Sequence, residues 1–177
     1  MELWSFDPAD CKKYEMKFNT TFYFKNIPIP QNEVKYDTFF VGLDKGRSNY
    51  LKELQDKIIA LGGTTYFKII PSMKEKISYQ KYLELVSKTK CIIDIIPDGQ
   101  SGLTVRPMES IFFRKKLITS DSTIASTDFY NKRNIFIIGK DDESYLKEFI
   151  DSPYIPIDES IVYQYDLKEW LKKFNKN

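Results

Sequence analysis

From residue 35 onward the chain alternates short apolar runs with longer amphipathic segments. The apolar runs end at Gly, Pro or polar clusters and predict buried β-strands. These runs lie at residues 36–43, 64–71, 91–97, 116–121 and 134–139. Apolar residues at helical spacing between and after them predict helices. These helices lie at residues 49–63, 79–90, 106–115, 143–152 and 166–177, with a helical or irregular link at 122–133.

Strands that alternate with helices at this spacing form right-handed βαβ units and a parallel sheet covered on both faces. The sequence therefore predicts an α/β fold: a Rossmann-like three-layer αβα domain over residues 35–177, with about five parallel strands and a C-terminal helix. Residues 1–34 are rich in aromatic residues and prolines but lack a clean helix or strand period. We predict that they form an N-terminal arm, or interdomain linker, packed on this domain.

The composition narrows the classes of function. Among 177 residues, 42% are hydrophobic, and 27 basic against 25 acidic side chains give a net charge of +2. No field of one sign is implied, so we do not expect nucleic acid as a partner. The chain has no His, which removes the commonest general base and the commonest metal ligand. We expect no metal and no cofactor.

The sequence also bears on location. Cys11 and Cys91 are far apart and suggest neither a disulfide framework nor a zinc site. The N-terminus is polar and acidic, unlike a signal peptide. No apolar run approaches the ~20 residues of a membrane span. We therefore expect a cytoplasmic protein.

The loop after the first predicted strand is the first candidate site. Gly42 and Gly46 allow a tight turn, and Lys45 and Arg47 stand at the start of the next helix, with Ser48 as its expected N-cap. Cations at a helix N-terminus are unfavourable by a few tenths of a kcal/mol or more unless an anion binds there. The loop therefore predicts either an anion site or a solvated basic turn.

The second candidate follows the third predicted strand. Gln100 and Ser101 lie between two glycines, Gly99 and Gly102, and the next helix is expected to begin with Arg106 and Pro107. The carboxyl end of a parallel strand is where open α/β sheets bind ligands.

Two side chains of this helix suit a nucleotide. Arg106 could form a bidentate contact with phosphate, and Glu109 could accept both hydroxyls of a ribose. In the alternative interpretation, Glu109 stabilises the helix N-terminus or pairs with Arg106. Asp94, inside the preceding strand, is expected to be buried and hydrogen-bonded.

The order of these segments resembles a known family. The glycine loop, QSGLTVRPMES at 100–110 and KLITSD at 116–121 resemble the C-terminal, donor-binding half of GT-B-fold glycosyltransferases, and in particular bacterial enzymes of lipopolysaccharide or capsule biosynthesis. The similarity covers about residues 4–174. It implies that a nucleoside diphosphate sugar binds with its ribose on Glu109. The implied donor-binding set is Glu109, Arg106, Gln100, Ser101, Gly102, Thr104, Gly42, Lys45 and Arg47.

The resemblance also implies a partner. A GT-B enzyme carries its acceptor site and catalytic base mainly on an N-terminal domain, which this chain is too short to include. We therefore expect that an N-terminal domain or a partner subunit completes the cleft, and that the acceptor is lipid-linked or a saccharide. The isolated chain should transfer little or no sugar. The completed enzyme could lie peripherally at the inner face of a membrane.

Two other classes remain open. A non-catalytic flavodoxin-like module would bind flavin and be yellow as purified, whereas a receiver module needs several acids after its first strand, where only Asp44 stands. A protein-interaction module would keep the fold without a ligand. For that module, replacing Glu109 would leave every measurable binding unchanged.

Overall fold

The computed structural model describes residues 2–97, 99 and 102–175. Its strands form two parallel sheets, one of two strands and one of five. The strands are β1 (Trp4–Ser5), β2 (Lys17–Phe18), β3 (Tyr36–Leu43), β4 (Thr65–Ile70), β5 (Thr89–Asp94), β6 (Lys116–Thr119) and β7 (Ile135–Ile137).

Seven α-helices lie within the described residues. They are α1 (Pro8–Tyr14), α2 (Ser48–Ala60), α3 (Tyr79–Ser87), α4 (Val105–Phe112), α5 (Leu146–Asp151), α6 (Glu159–Gln164) and α7 (Leu167–Lys172). Short 3-10 helices occupy Met73–Glu75, Ser122–Ser126, Glu143–Tyr145 and Lys173–Asn175. None of the described helices has the length and apolar character needed to cross a membrane.

The central sheet has the strand order β4-β3-β5-β6-β7, and all its neighbours are parallel. The predicted three-layer α/β fold is therefore confirmed. The chain first moves outward from β3 to β4 and then crosses back to β5, so the order reverses between β3 and β5. In open α/β sheets such a reversal leaves a crevice at the carboxyl ends of the strands.

Alternating side chains explain why both faces of the sheet are covered. On β3, Phe39 and Val41 join the core that contains α3 and α4, whereas Phe40 joins the core that contains α2 and α5. The same alternation separates Ile92 from Ile93 on β5. Because successive strand residues point to opposite faces, these apolar runs need a helical layer on each side.

The arm packs against the C-terminal helices through backbone hydrogen bonds. Tyr23 N donates to Tyr165 O at 2.8 Å, and Leu167 N donates to Tyr23 O at 2.8 Å. The Trp170 ring lies 4.5 Å from the Phe22 ring, centroid to centroid. These contacts tie the two ends of the chain together on one side of the domain.

Two short helices were not predicted. The arm contains a regular helix, α1, whose seven residues are too few to show an apolar period; its signal is Asp7 as N-cap with Pro8 next to it. The C-terminal segment holds α6 as well as the expected helix, because Asp158 caps a short helix there. The 122–133 link, predicted to be helical or irregular, consists of the 3-10 helix Ser122–Ser126 and irregular residues after it.

The starts of α2 and α4 also differ from prediction. Ser48 is the first residue of α2, and its N–H donates to Asp44 Oδ1 at 2.8 Å. Helix α4 begins at Val105 because Thr104 Oγ1 accepts from Arg106 N at 3.3 Å. Pro107 is thus the third helical residue, not the first, which is tolerated because the N–H there has no partner within a helix.

Candidate functional site

A pocket of about 370 Å³ opens at the carboxyl end of β3 and β4, on the face covered by α3 and α4. Its lining includes Gly42, Tyr79, Tyr82, Arg106 and Glu109. Three of these five, the glycine, arginine and glutamate, belong to the donor-binding set that the sequence predicted. The pocket lies beside the reversal of strand order, where such folds bind ligands.

Glu109 is the ionisable group at the floor of this pocket. It faces α3 from the middle of α4, and only 3% of it is exposed. The hydroxyl of Tyr82 donates to Oε2 at 2.5 Å, and the hydroxyl of Tyr79 donates to Oε1 at 3.2 Å. Each carboxylate oxygen therefore has a phenol donor. Within the described part of the chain this carboxylate forms no ion pair, and the two phenols hold it in place.

Burial raises the pKa of Glu109 from 4.5 to about 7. The Tyr82 hydrogen bond and the charge of Arg106 act in the opposite direction, while the charge of Asp94 raises this pKa further. Burial dominates because removing a carboxylate from water disfavours its ionised form. Glu109 therefore changes protonation state near neutral pH, which is common for groups at functional sites.

The two tyrosines form an aromatic wall. Their rings are stacked, with centroids 5.8 Å apart and planes 12° apart. Tyr79 is 46% exposed and its hydroxyl also contacts the Tyr23 hydroxyl of the arm. Burial raises the pKa of Tyr79 to about 12, so its hydroxyl stays protonated and can donate. The wall thus presents one open ring at the mouth of the pocket.

Arg106 connects the pocket to the sheet. Its Nη1 lies 3.4 Å from Asp94 Oδ1, and its Nη2 donates to Val41 O at 2.9 Å. Thr104 Oγ1 donates to the other oxygen of Asp94 at 3.0 Å. The prediction that Asp94 is buried and hydrogen-bonded is confirmed. Arg106 therefore lines the pocket with a guanidinium that already has protein acceptors.

Arg47 occupies the other side of the crevice. Its Nη2 donates to Leu43 O at 2.9 Å and its Nη1 donates to Ile95 O, so it joins the ends of β3 and β5. The guanidinium carbons of Arg47 and Arg106 each lie 5.1 Å from the Phe40 ring centroid. Burial lowers the pKa of Arg47, as does the nearby charge of Arg106. The two guanidinium groups therefore lie close enough to repel each other, and the charges of Asp94 and Asp44 oppose the effect of this repulsion on the pKa of Arg47.

Gly42 is required by the approach of these arginines. A Cβ there would lie 2.7 Å from Arg106 Nη2 and 3.4 Å from Arg47 Nη2. It would also lie 3.2 Å from Cζ of Phe40. Any larger residue would displace a guanidinium.

The remaining predicted residues lie elsewhere. Lys45 and Arg47 line a neighbouring pocket of about 640 Å³, at the N-terminal end of α2. Gly102 lines a third cavity, against the arm. Thr104 caps α4 and holds Asp94. Gln100 and Ser101 lie outside the described residues.

Sequence reasoning missed the role of Tyr79 and Tyr82, which we expected to be core-facing or half-buried with no site implied. Their spacing of three residues places both on one face of α3, which was the available signal. The sequence did not show that this face packs against Glu109, which lies 27 residues after Tyr82 and 30 residues after Tyr79.

Among the described residues, no group of acidic or cysteine side chains is arranged to hold a metal ion.

No protein-family model matches the chain, and a search of curated proteins finds no significant match.

Proposed function

We propose that this chain is the donor-binding domain of a glycosyltransferase and binds a nucleoside diphosphate sugar. The observation that carries the proposal is Glu109: a carboxylate with a pKa raised to about 7, at the floor of an open pocket beside the reversal of strand order. The resemblance of residues 100–110 to bacterial surface-polysaccharide enzymes supports the same assignment.

In this proposal each part of the donor has a partner in the pocket. The ribose hydroxyls donate to Glu109 in place of Tyr79, whose exposed ring then stacks on the base. The diphosphate lies over Gly42, whose missing side chain allows close approach, and next to Arg106. Besides burial, the charge of Arg106 lowers the pKa of Arg47, so these two cations repel each other, and a diphosphate next to Arg106 offsets that repulsion.

The chemistry follows from this placement. Departure of the nucleoside diphosphate is assisted by Arg106, without a metal ion. A separate domain or subunit binds the acceptor, which is lipid-linked or a saccharide. The same domain or subunit contributes the catalytic base. The completed enzyme acts in lipopolysaccharide or other surface-polysaccharide biosynthesis, at the inner face of a membrane.

A thermal-shift panel of UDP, GDP, ADP, TDP and CMP tests the proposal. One nucleotide should raise the unfolding midpoint of the wild type, since a ligand that binds only the folded state stabilises it. The shift should be lost in Glu109→Gln and kept in Glu53→Gln, a matched change at an exposed glutamate of α2. A shift that survives Glu109→Gln unchanged would contradict the assigned site.

The strand order favours one alternative, a flavodoxin-like flavin protein, because that class has the same order of five parallel strands. The N-terminus of α2, where such a protein would hold the flavin phosphate, is already bonded to Asp44 Oδ1. An absorbance titration with FMN decides between the two. The donor-binding proposal predicts no flavin spectrum in the purified protein and no perturbation of added FMN.

A further inference from the structure

The cavity that Gly102 lines, of about 570 Å³, lies between the arm, the Gly102–Leu103 segment and the C-terminal helices. Its volume is within the range of small-molecule sites, roughly 300–1,000 Å³. It is separate from the Glu109 pocket, and no lining residue is shared between the two. Thr21 Oγ1 donates to Leu103 O at 2.8 Å, which fixes the arm to the segment that forms the cavity floor.

One wall of this cavity is aromatic. Phe6 and Phe18 of the arm are 54% and 49% exposed, although both line the cavity. Phe6 packs on Gly102 so closely that a Cβ on the glycine would lie 2.8 Å from its ring. The arm therefore holds two phenylalanine rings at the edge of a cavity with part of each ring open to a ligand.

The rest of the lining carries several polar side chains, although apolar atoms contribute most of the surface of the cavity. Most of these polar side chains come from the Ser122–Ser126 helix and the residues after it, and from the end of α6. Asp128 Oδ1 accepts from the Tyr165 hydroxyl at 2.5 Å, which orients the carboxylate. In the described part of the chain, the side chains of Gln164 and Lys173 have no hydrogen-bond or ion-pair partner.

We propose that this cavity binds a neutral saccharide. A pyranose ring has an apolar face of C–H groups and a rim of hydroxyls, which match the phenylalanine wall and the polar side chains of the lining respectively. An acyl chain would leave these polar side chains desolvated and unpaired, at a cost in free energy. Asp7 and Asp128 outnumber the one lysine of the lining, which disfavours an anion such as phosphate.

Saccharide binding in this cavity does not depend on the proposed transferase function, because the cavity and the Glu109 pocket share none of their described lining residues.

Saturation-transfer NMR on the whole chain tests the proposal, with maltose, cellobiose, lactose and N,N′-diacetylchitobiose as probes. At least one disaccharide should receive saturation, strongest at the ring protons of one face. Phe6→Ala should lower its affinity about tenfold, because an aromatic contact is lost. Phe24→Ala is the matched control, since Phe24 is a phenylalanine of the arm with 45% exposure outside the cavity.

Gln164→Ala gives a second test that does not disturb folding, because this exposed side chain has no partner within the described residues. It should weaken the same disaccharide. Saturation of none of the probes, or equal binding by the wild type, Phe6→Ala and Gln164→Ala, would overturn the proposal. Binding of 8-anilinonaphthalene-1-sulfonate that no disaccharide displaces would also overturn it and indicate an apolar ligand. Glu109→Gln should leave saccharide binding intact, so failure of the nucleotide site is measured separately.

Discussion

At the scale of single residues, Glu109 connects stability to ligand binding. Its carboxylate is buried among tyrosines, and the effect of burial outweighs the opposing charge of Arg106, so the protein favours the protonated form more than water does. The folded state then binds a proton that the unfolded chain releases at lower pH. The stability of the protein must depend on pH over the interval between those two pKa values.

The first prediction concerns that interval. The contribution of Glu109 to the free energy of unfolding should be fully present below about pH 4.5 and fall as pH rises to about 7. Glu109→Gln removes it, so the free energy of the variant relative to the wild type should rise over this range by up to about 3 kcal/mol. Urea denaturation at several pH values measures the difference. A difference that stays constant with pH would contradict the assigned pKa of Glu109.

The second prediction separates the two tyrosines. Tyr82→Phe removes the 2.5 Å hydrogen bond to a buried carboxylate and should cost about 2 kcal/mol at pH values where Glu109 is ionised. Tyr79→Phe removes a 3.2 Å bond from a half-exposed ring and also the contact with the Tyr23 hydroxyl, and it should cost about 1 kcal/mol, less than Tyr82→Phe. Urea denaturation of both variants at about pH 8 tests this order. Equal losses in the free energy of unfolding would contradict this order, because they would show that both tyrosines hold Glu109 equally strongly.

The sequence located Glu109 and Arg106 but not their partners. Both stand out because they lie in one short segment, where a glycine loop is followed directly by a helix whose first turns carry an arginine and a glutamate. The hydrogen bonds of Arg106 to Val41 O and of Tyr82 to Glu109 join positions 65 and 27 residues apart. Such contacts depend on how elements pack, which local spacing does not specify.

At the scale of elements, strands were easier to predict than helix starts. Strands such as β5 are apolar on both faces, and that continuity is readable directly. Helix starts depend on which polar side chain captures a backbone N–H. Asp44 captures the N–H of Ser48 and Thr104 that of Arg106, although Ser48 and Pro107 gave equally good signals in the sequence.

The third prediction belongs to the end of β3. Gly42→Ala places a methyl group 2.7 Å from Arg106 Nη2 and should break its bond to Val41 O. We expect a loss of about 1–3 kcal/mol in the free energy of unfolding, as for overpacking in a core. Nucleotide stabilisation should disappear as well. Gly46→Ala is the control for added bulk, since a Cβ there meets nothing within 4 Å, although its positive φ adds a smaller backbone cost.

At the scale of the whole molecule, the arm and the C-terminal helices form one packed unit beside the central sheet. Trp170 is its centre: the indole N–H donates to Thr20 O, and its ring contacts Phe22 and Phe174. The sequence predicted that the arm packs on the domain. It did not indicate that the arm's partner is α7, because that contact spans about 150 residues.

The fourth prediction follows from this unit. In Trp170→Ala, the amides of Tyr23 and Leu167 should lose hydrogen-exchange protection together, because both join the arm to the C-terminal segment. The amide of Ile92 in the central sheet should keep its protection. Leu171→Ala, an exposed neighbour on α7, should change neither. Loss of protection throughout the sheet would show that the arm and the sheet unfold as one unit.

The central claim is that Glu109, when ionised, holds the ligand. Calorimetric titration with the nucleoside diphosphate that most stabilises the wild type tests it most directly, at about pH 6 and about pH 8. We predict tighter binding at the higher pH, where Glu109 is ionised and accepts the ribose hydroxyls. In Glu109→Gln binding should be weaker, and the wild-type gain with pH should be reduced to whatever the phosphate groups contribute. Equal affinity and equal pH dependence in the wild type and Glu109→Gln would contradict the claim.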